Sequence, residues 1–194
     1  MITTKILHLD ASISKNSRTK ELANYLISKL DGEVTYLKLA NNGFAPLSGD
    51  KLIWRDELIA KKDFHDPYFD RAKLFRDSDI VVITAPFYDL SFPSSLKVFF
   101  ENINVIDLLF TYLPDGSIKS LCVPKKIYYV TTAGGAIHNN EYSFGYIKSL
   151  AETFYNTTDC LFISAKNLDV VGQNVNQLLH IAKTEIDKLL KNKN

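Results

Sequence analysis

The stretch "ITAPFYDLSFPSSLKVFFEN", residues 83–102, decides the fold. Its first residues complete the run "DIVVITA" (79–85), which is apolar on both faces of a strand and therefore predicts a central position in a sheet. Pro86 ends this strand, and Pro93 suits the first turn of the helix that follows. A buried strand, a loop and a helix in this order form the repeating unit of a parallel sheet that helices cover.

The same unit recurs along the chain. Segments rich in β-branched and aromatic residues predict strands over 5–10, 34–39, 79–85, 125–132 and 159–165. Amphipathic patterns predict helices over 17–30, 93–102, the region near 145–156 and 173–191, and 50–77 is mostly helical with a break near Pro67. Right-handed crossovers between five parallel strands predict an α/β, flavodoxin-like three-layer sandwich with strand order 2-1-3-4-5 and helices on both faces. We expect a single domain over residues 1–194.

Composition limits the possible partners. The chain has 194 residues, of which 46% are hydrophobic and 23% charged, as in ordinary globular proteins. Its 23 Lys and Arg nearly balance 22 Asp and Glu, and the net charge of +1 disfavours nucleic acid as a partner. No apolar run is long enough to span a membrane and no signal-peptide pattern opens the chain, so we expect a cytoplasmic protein without membrane contact. Neither the two cysteines nor any histidine pair has metal-ligand spacing, so no metal site is expected.

A doubly wound sheet binds its ligands beyond the carboxyl ends of its strands, next to the point where the strand order reverses. This rule selects the loops after the first, third and fourth strands, "DASISKNSRTKE", "PFYDLSFPSS" and "TTAGGAIHNN". The first loop, residues 10–19, is rich in hydroxyl groups and leads into a helix, whose first N–H groups suit a phosphate. Helix capping by Ser17 explains the same residues, so both interpretations remain open. Because the GxxxxGK[ST] and GxGxxG motifs are absent, a phosphate in this loop is expected to be a monoester.

The second loop places Phe87, Tyr88 and Leu90 where the sheet ends. Aromatic and apolar side chains next to backbone N–H and C=O groups suit a planar heterocycle that stacks on the loop. Burial against a second subunit explains these residues as well, and a site at a subunit interface satisfies both interpretations. In the third loop, Gly134 and Gly135 allow a ligand to approach the backbone closely, although a tight turn has the same composition.

Five segments occur in an order and spacing that resembles the family of FMN-dependent NADH-azoreductases and NAD(P)H:quinone oxidoreductases. They are "SISKNSRTKELA", "APFYDLSFPSSLKVFFE", "FTY" at 110–112, "TTAGGAIH" and "TFYNTTDCLFI". The resemblance spans nearly the whole chain, and its second segment is the most specific. It implies the flavodoxin-like fold, noncovalently bound FMN, and a homodimer with flavin sites at the subunit interface.

The resemblance also implies a role for individual residues. The FMN phosphate would be held by Ser12, Ser17, Arg18 and Thr19. The isoalloxazine ring would be lined by Phe87, Tyr88, Asp89 and Leu90, and its pyrimidine edge bordered by Thr132, Ala133, Gly134 and Gly135. The substrate pocket would be walled by Tyr112 and Phe154, with His138 near the flavin.

Three positions depart from the family pattern. Asp89 stands where the family usually has Asn, Ala133 where many members have Arg, and Asn156 where Gly is usual. A carboxylate near the ring disfavours an anionic reduced flavin, and the lost arginine removes a positive neighbour. Both changes predict a lower flavin reduction potential, and they bear on substrate range more than on FMN binding.

The resemblance implies an FMN-dependent oxidoreductase that needs no catalytic side chain of its own, because the flavin carries hydride transfer. NADH is the expected electron donor, with NADPH second, since no loop has an arginine cluster for a 2′-phosphate. The expected acceptors are quinones, azo compounds or nitroaromatics, reduced by two electrons in a ping-pong cycle. Two alternatives remain: an FMN-binding electron carrier or regulator, which the nearly neutral charge disfavours, and a phosphodiester hydrolase, for which no metal cluster or nucleophile motif is evident.

Overall fold

A computed structural model describes residues 3–41 and 44–191 of the chain. Its strands are β1 (Lys5–Asp10), β2 (Glu33–Lys38), β3 (Ile80–Thr84), β4 (Phe110–Tyr112), β5 (Ile118–Ser120), β6 (Lys126–Thr132) and β7 (Asp159–Ala165). Its helices are α1 (Arg18–Ile27), α2 (Gly49–Ala60), α3 (Asp70–Arg76), α4 (Ser94–Ile103), α5 (Tyr146–Leu150) and α6 (Val175–Lys191). Within the described ranges, no helix is both long and apolar enough to cross a membrane.

Five strands form one parallel sheet in the order β2-β1-β3-β6-β7. Counted along the chain as sheet strands, this is the predicted order 2-1-3-4-5, so the predicted fold is confirmed. The order reverses between β1 and β3, because the chain first moves outward to β2 and then returns to the other side of β1.

Two cores cover the two faces of the sheet. On one face, α1 and α6 contribute Leu22, Leu26 and Ile186 to a cluster with alternate residues of the strands, such as Val82. On the other face, α3, α4 and the α5 region pack on the intervening strand residues, such as Ile83. Neighbouring strand residues thus enter opposite cores, which confirms that β3 is central and that helices cover both faces.

The segment 50–77 is broken near Pro67, as predicted. Helix α2 ends at Ala60, and a 3₁₀ turn over Pro67–Phe69 precedes α3. Asp66 caps this turn, since its carboxylate accepts a hydrogen bond from the backbone N–H of Tyr68 at 2.8 Å. Pro67 occupies the first position of the turn, where a missing N–H costs nothing.

The predicted helix near 145–156 is less regular than expected. Helix α5 is flanked by π-helical segments over Glu141–Gly145 and Ala151–Tyr155, so the whole helical region begins earlier than predicted. It ends at Asn156, whose φ of 54° lies in the left-handed region. Asparagine suits this conformation, because asparagine and glycine are the residues that best tolerate positive φ at a helix end.

An antiparallel hairpin of β4 and β5 stands outside the sheet and was not predicted. Phe110 pairs with Ser120, and Tyr112 pairs with Ile118. The turn contains Gly116 at φ 82°, immediately after Asp115. An Asp-Gly pair between short alternating segments is a hairpin signal, so the sequence did carry the information.

Candidate functional site

The three loops selected from the sequence meet around one cleft of about 150 Å³ at the carboxyl edge of the sheet. The predicted residues that line it are Ser17, Arg18, Thr19, Phe87, Tyr88, Thr132, Ala133 and Gly134. Ser14, Asn16, Pro86 and Asp169 complete the lining. The cleft lies where the β1 and β3 ends diverge, the position at which doubly wound sheets bind ligands.

The cleft is small for a cofactor site. A volume of about 150 Å³ lies below the roughly 300–1,000 Å³ usual for small-molecule pockets, so the cleft can enclose only part of such a ligand. A larger cavity of about 420 Å³ lies at the opposite, amino-terminal edge, near Lys5, Glu33 and Asp77. We assign the site to the smaller cleft because the loops at the strand-order reversal line it. The larger cavity is lined by residues at the amino-terminal ends of strands.

The start of α1 supplies the anion-binding features of the cleft. The Ser17 hydroxyl caps the helix by accepting a hydrogen bond from the Lys20 N–H at 3.2 Å. The N–H groups of Arg18 and Thr19, in the first turn, have no partner within the helix. Thr19 is anchored to the sheet, because its buried hydroxyl lies 2.6 Å from that of Thr132. Capping and anion binding are therefore compatible at this helix start.

Ser12, a predicted phosphate ligand, lies behind the loop rather than in the cleft. It is fully buried, and its hydroxyl and N–H donate to the Asp10 carboxylate at 2.5 and 2.8 Å. Lys38 donates to the Ser12 carbonyl oxygen and, at 3.1 Å, to Asp10. The structure thus separates Ser12 from the other phosphate candidates and gives it the local role of holding the loop to the end of β1.

Asp10 forms the centre of this buried polar cluster. Burial alone would raise the pKa of its carboxyl, but hydrogen bonds from Ser12, Tyr36 and Lys38 outweigh burial and lower the pKa to about 2. The Tyr36 hydroxyl donates to it at 2.6 Å. The first loop therefore begins from an ionised carboxylate that several donors hold in place.

The second loop carries a tight turn that projects its residues away from the sheet. Tyr88 and Ser91 exchange backbone hydrogen bonds of 3.0 and 2.8 Å around Asp89 and Leu90. The φ angles of Asp89 and Leu90 are 48° and 66°, the pattern of a type I′ turn, which normally contains Asn and Gly. Leu90 is 61% exposed and Tyr88 45% exposed, so an apolar tip stands next to the cleft. Asp89 and Leu90 belong to this tip rather than to the lining of the cleft.

The two glycines of the third loop differ in their surroundings, and neither has a positive φ. A Cβ added to Gly134 would lie 2.3 Å from the Asp169 carboxylate, whereas one added to Gly135 would meet nothing within 4 Å. Gly134 is therefore required by a close approach, but the approaching group is a side chain of this protein and not the ligand that the sequence analysis considered. Gly135 leaves the backbone open to solvent.

The predicted substrate-pocket residues lie outside the cleft. The Phe110 ring of the hairpin contacts both Tyr112 and Phe154, with centroid distances of 5.8 and 4.4 Å. His138 lines a separate cavity of about 480 Å³ with Glu141 and Lys166. The structure thus brings Tyr112 and Phe154 together, while His138 belongs to neither group.

Four residues of the cleft were not predicted; Ser14, Asn16 and Pro86 lie within the selected loops, whereas Asp169 lies outside all three. It follows β7, whose carboxyl end reaches the same edge of the sheet, but only the loops after three other strands were selected. The same rule applied to the fifth strand would have included it. Among the residues that the structure describes, no group of three or more His, Cys, Asp or Glu could hold a metal ion.

Comparison with known proteins gives the family. A family model described as a flavodoxin-like fold matches residues 4–189. The FMN-dependent NADH:quinone oxidoreductase 2 of Clostridium acetobutylicum is 30% identical over 189 residues, which cover 91% of this chain and 92% of that protein. The chain belongs to the family of FMN-dependent NADH:quinone oxidoreductases. The FMN-dependent NADH:quinone oxidoreductase of Clostridium beijerinckii is 28% identical over 200 residues, which cover 97% of this chain and 98% of that protein.

Solved structures agree on the fold. An azoreductase from Bacillus anthracis has a TM-score of 0.79 at 18% identity, covering 96% of this chain and 98% of that one. An FMN-dependent NADH-azoreductase from the same species, solved with FMN, has a TM-score of 0.77 at 16% identity, covering 97% and 98%. The resemblance inferred from the sequence segments is confirmed, and at the level of the family so are an oxidoreductase and FMN as its cofactor.

The residues of the cleft fit FMN in chemistry. Arg18 and the first N–H groups of α1 suit a phosphate monoester. Gly135, which is not part of the lining but follows Gly134 in the chain, has an open backbone that suits the polar edge of a ring. The Tyr88 and Leu90 side chains offer apolar surface for a planar ring system immediately outside. One group departs from this fit, since the Asp169 carboxylate lies beside the predicted phosphate ligands.

Proposed function

We propose that the chain is an FMN-dependent oxidoreductase that uses NADH, with NADPH as second donor, to reduce quinones and to cleave azo compounds. Nitroaromatic compounds are further acceptors in this proposal. The proposal rests on three features that lie together at the strand-order reversal. They are the start of α1, the exposed turn from Tyr88 to Ser91 and the open backbone at Gly135. The names of the relatives support the same reaction class.

The phosphate of FMN would bind at the start of α1. In this proposal Arg18 supplies the positive charge, Ser17 supplies a hydroxyl group, and Thr19 supplies a backbone N–H, because its own hydroxyl is bonded to Thr132. Ser12 acts from behind, because its bonds to Asp10 keep the loop in the conformation that exposes the helix start.

The ring of FMN would lie against the second and third loops. Phe87, Tyr88 and Leu90 present apolar surface, and Asp89 and the backbone of Thr132, Ala133 and Gly134 border the edges. Gly135 leaves room, because nothing lies within 4 Å of where its Cβ would be. When bound, FMN supplies hydride acceptance and donation, so no side chain of the chain is required to react. The role of the protein is to bind, to orient and to exclude water at the apolar tip.

Donor and acceptor would use the same surface in turn. If the flavin ring stacks on the second loop, its opposite face would be the surface available to both substrates. A surface that admits one planar molecule at a time predicts ping-pong kinetics.

We also propose a homodimer, one domain over residues 1–194 and a cytoplasmic location without nucleic-acid or membrane partners. The small cleft and the exposed apolar tip support the dimer, because a second subunit would supply the missing walls. Exposed large apolar residues outside the tip include Tyr112, Leu113, Leu121, Val123 and Tyr142. In this arrangement Tyr112 and Phe154 wall the substrate pocket of the assembled dimer, together with His138.

Steady-state kinetics test the proposal. Protein reconstituted with FMN is assayed for NADH oxidation while the concentrations of NADH and of a benzoquinone are both varied, and an azo dye is used in a second series. We expect turnover above that of free FMN and parallel double-reciprocal lines. Arg18→Gln tests the phosphate site in the same assay. It keeps the helix start but removes the cation, so we expect it to lower the amount of FMN retained. Turnover no faster than that of free FMN would contradict the proposal and favour an electron carrier.

A further inference from the structure

The Asp169 carboxylate occupies the anion side of the cleft. Its Oδ1 lies 2.8 Å from Arg18 Nη2. Its Oδ2 fills the space next to Gly134, since a Cβ added to Gly134 would lie only 2.3 Å from this oxygen. Among the residues that line the described cleft, Arg18 is the cation and Asp169 the anion. The group best suited to bind a ligand phosphate is therefore already paired with a side chain of the protein.

The segment that carries Asp169 is held firmly. The N–H groups of Asn167, Leu168 and Asp169 donate to the carbonyl oxygens of Gly135, Ala133 and Gly134 at 3.0, 3.2 and 2.9 Å. Arg18 Nη1 also donates to the Leu168 carbonyl oxygen at 3.1 Å. The backbone therefore fixes the carboxylate at the cleft, and only its side-chain torsions can move it away.

The ion pair itself is weak enough to be exchanged. The Arg18 side chain is 37% exposed and that of Asp169 is 64% exposed, so water competes for both groups. A phosphate monoester carries up to two negative charges at neutral pH and can pair with the arginine more strongly than a single carboxylate. Even a displaced Asp169 carboxylate stays near the bound phosphate, because its backbone does not move.

We propose that Asp169 competes with the ligand phosphate for Arg18 and thereby sets the affinity of the cleft for FMN. This inference rests on the proposed function, since it assumes that the phosphate of FMN binds at the start of α1. It makes Asp169 a residue that tunes cofactor exchange, and it predicts that the wild-type protein holds the phosphate less tightly than its ligand set allows.

Flavin binding to Asp169→Asn tests the competition. The dissociation constants of FMN and of riboflavin are measured by fluorescence quenching for both proteins, because riboflavin has the same ring but no phosphate. Asn has the size of Asp and keeps an acceptor for Arg18 but removes the charge. We expect the FMN dissociation constant to fall roughly three- to tenfold, the effect of one partly screened charge, and that of riboflavin to stay unchanged.

Two controls separate the competition from other effects. Asp31→Asn makes the same change of net charge at an exposed position before β2, at the opposite edge of the sheet, and should leave FMN binding unchanged. In an Arg18→Gln background, Asp169→Asn should tighten FMN less than it does when Arg18 is present, because only the direct repulsion between carboxylate and phosphate is then relieved. Equal tightening of FMN and riboflavin, no tightening of FMN, or a gain of the same size with and without Arg18 would each overturn the competition.

Inorganic phosphate distinguishes a failure of this inference from a failure of the proposed function. Thermal unfolding of flavin-free protein is followed at increasing phosphate, with chloride at matched ionic strength. Competition predicts a larger rise of Tm for Asp169→Asn than for wild type. If neither protein binds flavin but this difference is present, the proposed function fails while the competition for Arg18 stands. If flavin binds but neither the FMN affinity nor the phosphate effect differs, the inference alone fails.

Discussion

Asp10 ends β1 as a fully buried carboxylate that accepts hydrogen bonds from Ser12, Tyr36 and Lys38. Replacing Asp10 with Asn leaves the Lys38 ammonium without its charged partner. We expect Asp10→Asn to lower the free energy of unfolding by roughly 2–4 kcal/mol, somewhat less than for a fully buried pair, because Lys38 is 28% exposed. Urea unfolding followed by circular dichroism measures the change.

Asp31→Asn is the control for this substitution, because Asp31 is exposed. Its effect should stay within about 0.5 kcal/mol, as for most surface changes. If Asp10→Asn also lowers the free energy of unfolding by less than about 0.5 kcal/mol, the buried cluster adds no stability.

His8 makes stability depend on pH. Burial lowers the pKa of its imidazole from 6.5 to about 4, although the charge of Asp10 opposes this. Below pH 6.5 the unfolded chain gains a proton that the folded protein does not accept, so stability is full above that pH and falls toward pH 4 by roughly 3 kcal/mol. Folding lowers the pKa of Asp10 from 3.8 to about 2, so a second loss of stability follows as the pH falls from about 3.8 to about 2.

His8→Gln checks this assignment, since a glutamine amide can still reach the Thr84 hydroxyl, which lies 2.8 Å from His8 Nε2. Urea unfolding between pH 7 and 4 should show a flatter pH dependence in the variant. An unchanged slope would assign the titration to another group.

The residues of the site were predictable where a general rule selected a loop. Ser17, Arg18 and Thr19 line the cleft because a helix start must follow the first strand. Ser12 shares the composition of those residues but was not separable from them by sequence, because its burial depends on Asp10 and on Lys38 from another strand. Asp169 pairs with Arg18 across 151 positions of sequence, and no local pattern encodes such a contact.

At the scale of elements, the turn from Tyr88 to Ser91 holds a leucine in a left-handed conformation. Such a conformation costs a residue with a Cβ about 1–2 kcal/mol. Glycine avoids this cost, but its net gain is smaller because glycine loses more conformational entropy on folding. We expect Leu90→Gly to raise the free energy of unfolding by up to about 1 kcal/mol and to weaken FMN binding, because an apolar contact is lost. Urea unfolding of flavin-free protein and an FMN titration measure the two effects.

Leu90→Ala separates strain from contact. Alanine keeps the Cβ and its strain but removes most of the apolar surface, so it should weaken FMN binding without stabilising the protein. If the Leu90→Gly and Leu90→Ala proteins have the same free energy of unfolding, the turn stores no strain at Leu90.

The elements themselves could be predicted to different degrees. The parallel sheet followed from alternating periodicities, because buried strands and amphipathic helices have clear patterns. The hairpin of β4 and β5 was missed because its strands have only three residues each, too few for a period, and the Asp115-Gly116 turn signal was not used. The π-helical segments around α5 share the hydrophobic pattern of an α-helix, so sequence alone could not distinguish them.

At the scale of the whole molecule, the proposed homodimer has a direct test. Light scattering of purified protein at micromolar concentration should give twice the mass of 22.0 kDa. The physical reason is the exposed apolar surface at Leu90, Tyr88 and the hairpin, which a second subunit would bury. Leu113→Lys, at an exposed hairpin position, should shift the equilibrium toward monomer if this surface is the interface. A monomer in the wild type would contradict both the dimer and a site completed by a second subunit.

Whether the chain is a flavin reductase is decided by a visible absorption spectrum of the protein after reconstitution with FMN and desalting, recorded before and after anaerobic addition of NADH. We expect the flavin bands to stay with the protein and to bleach when NADH is added. Flavin that is retained but not bleached would contradict the reductase and leave an electron carrier. If no flavin stays with the protein, the cleft at the end of β1 and β3 binds something else.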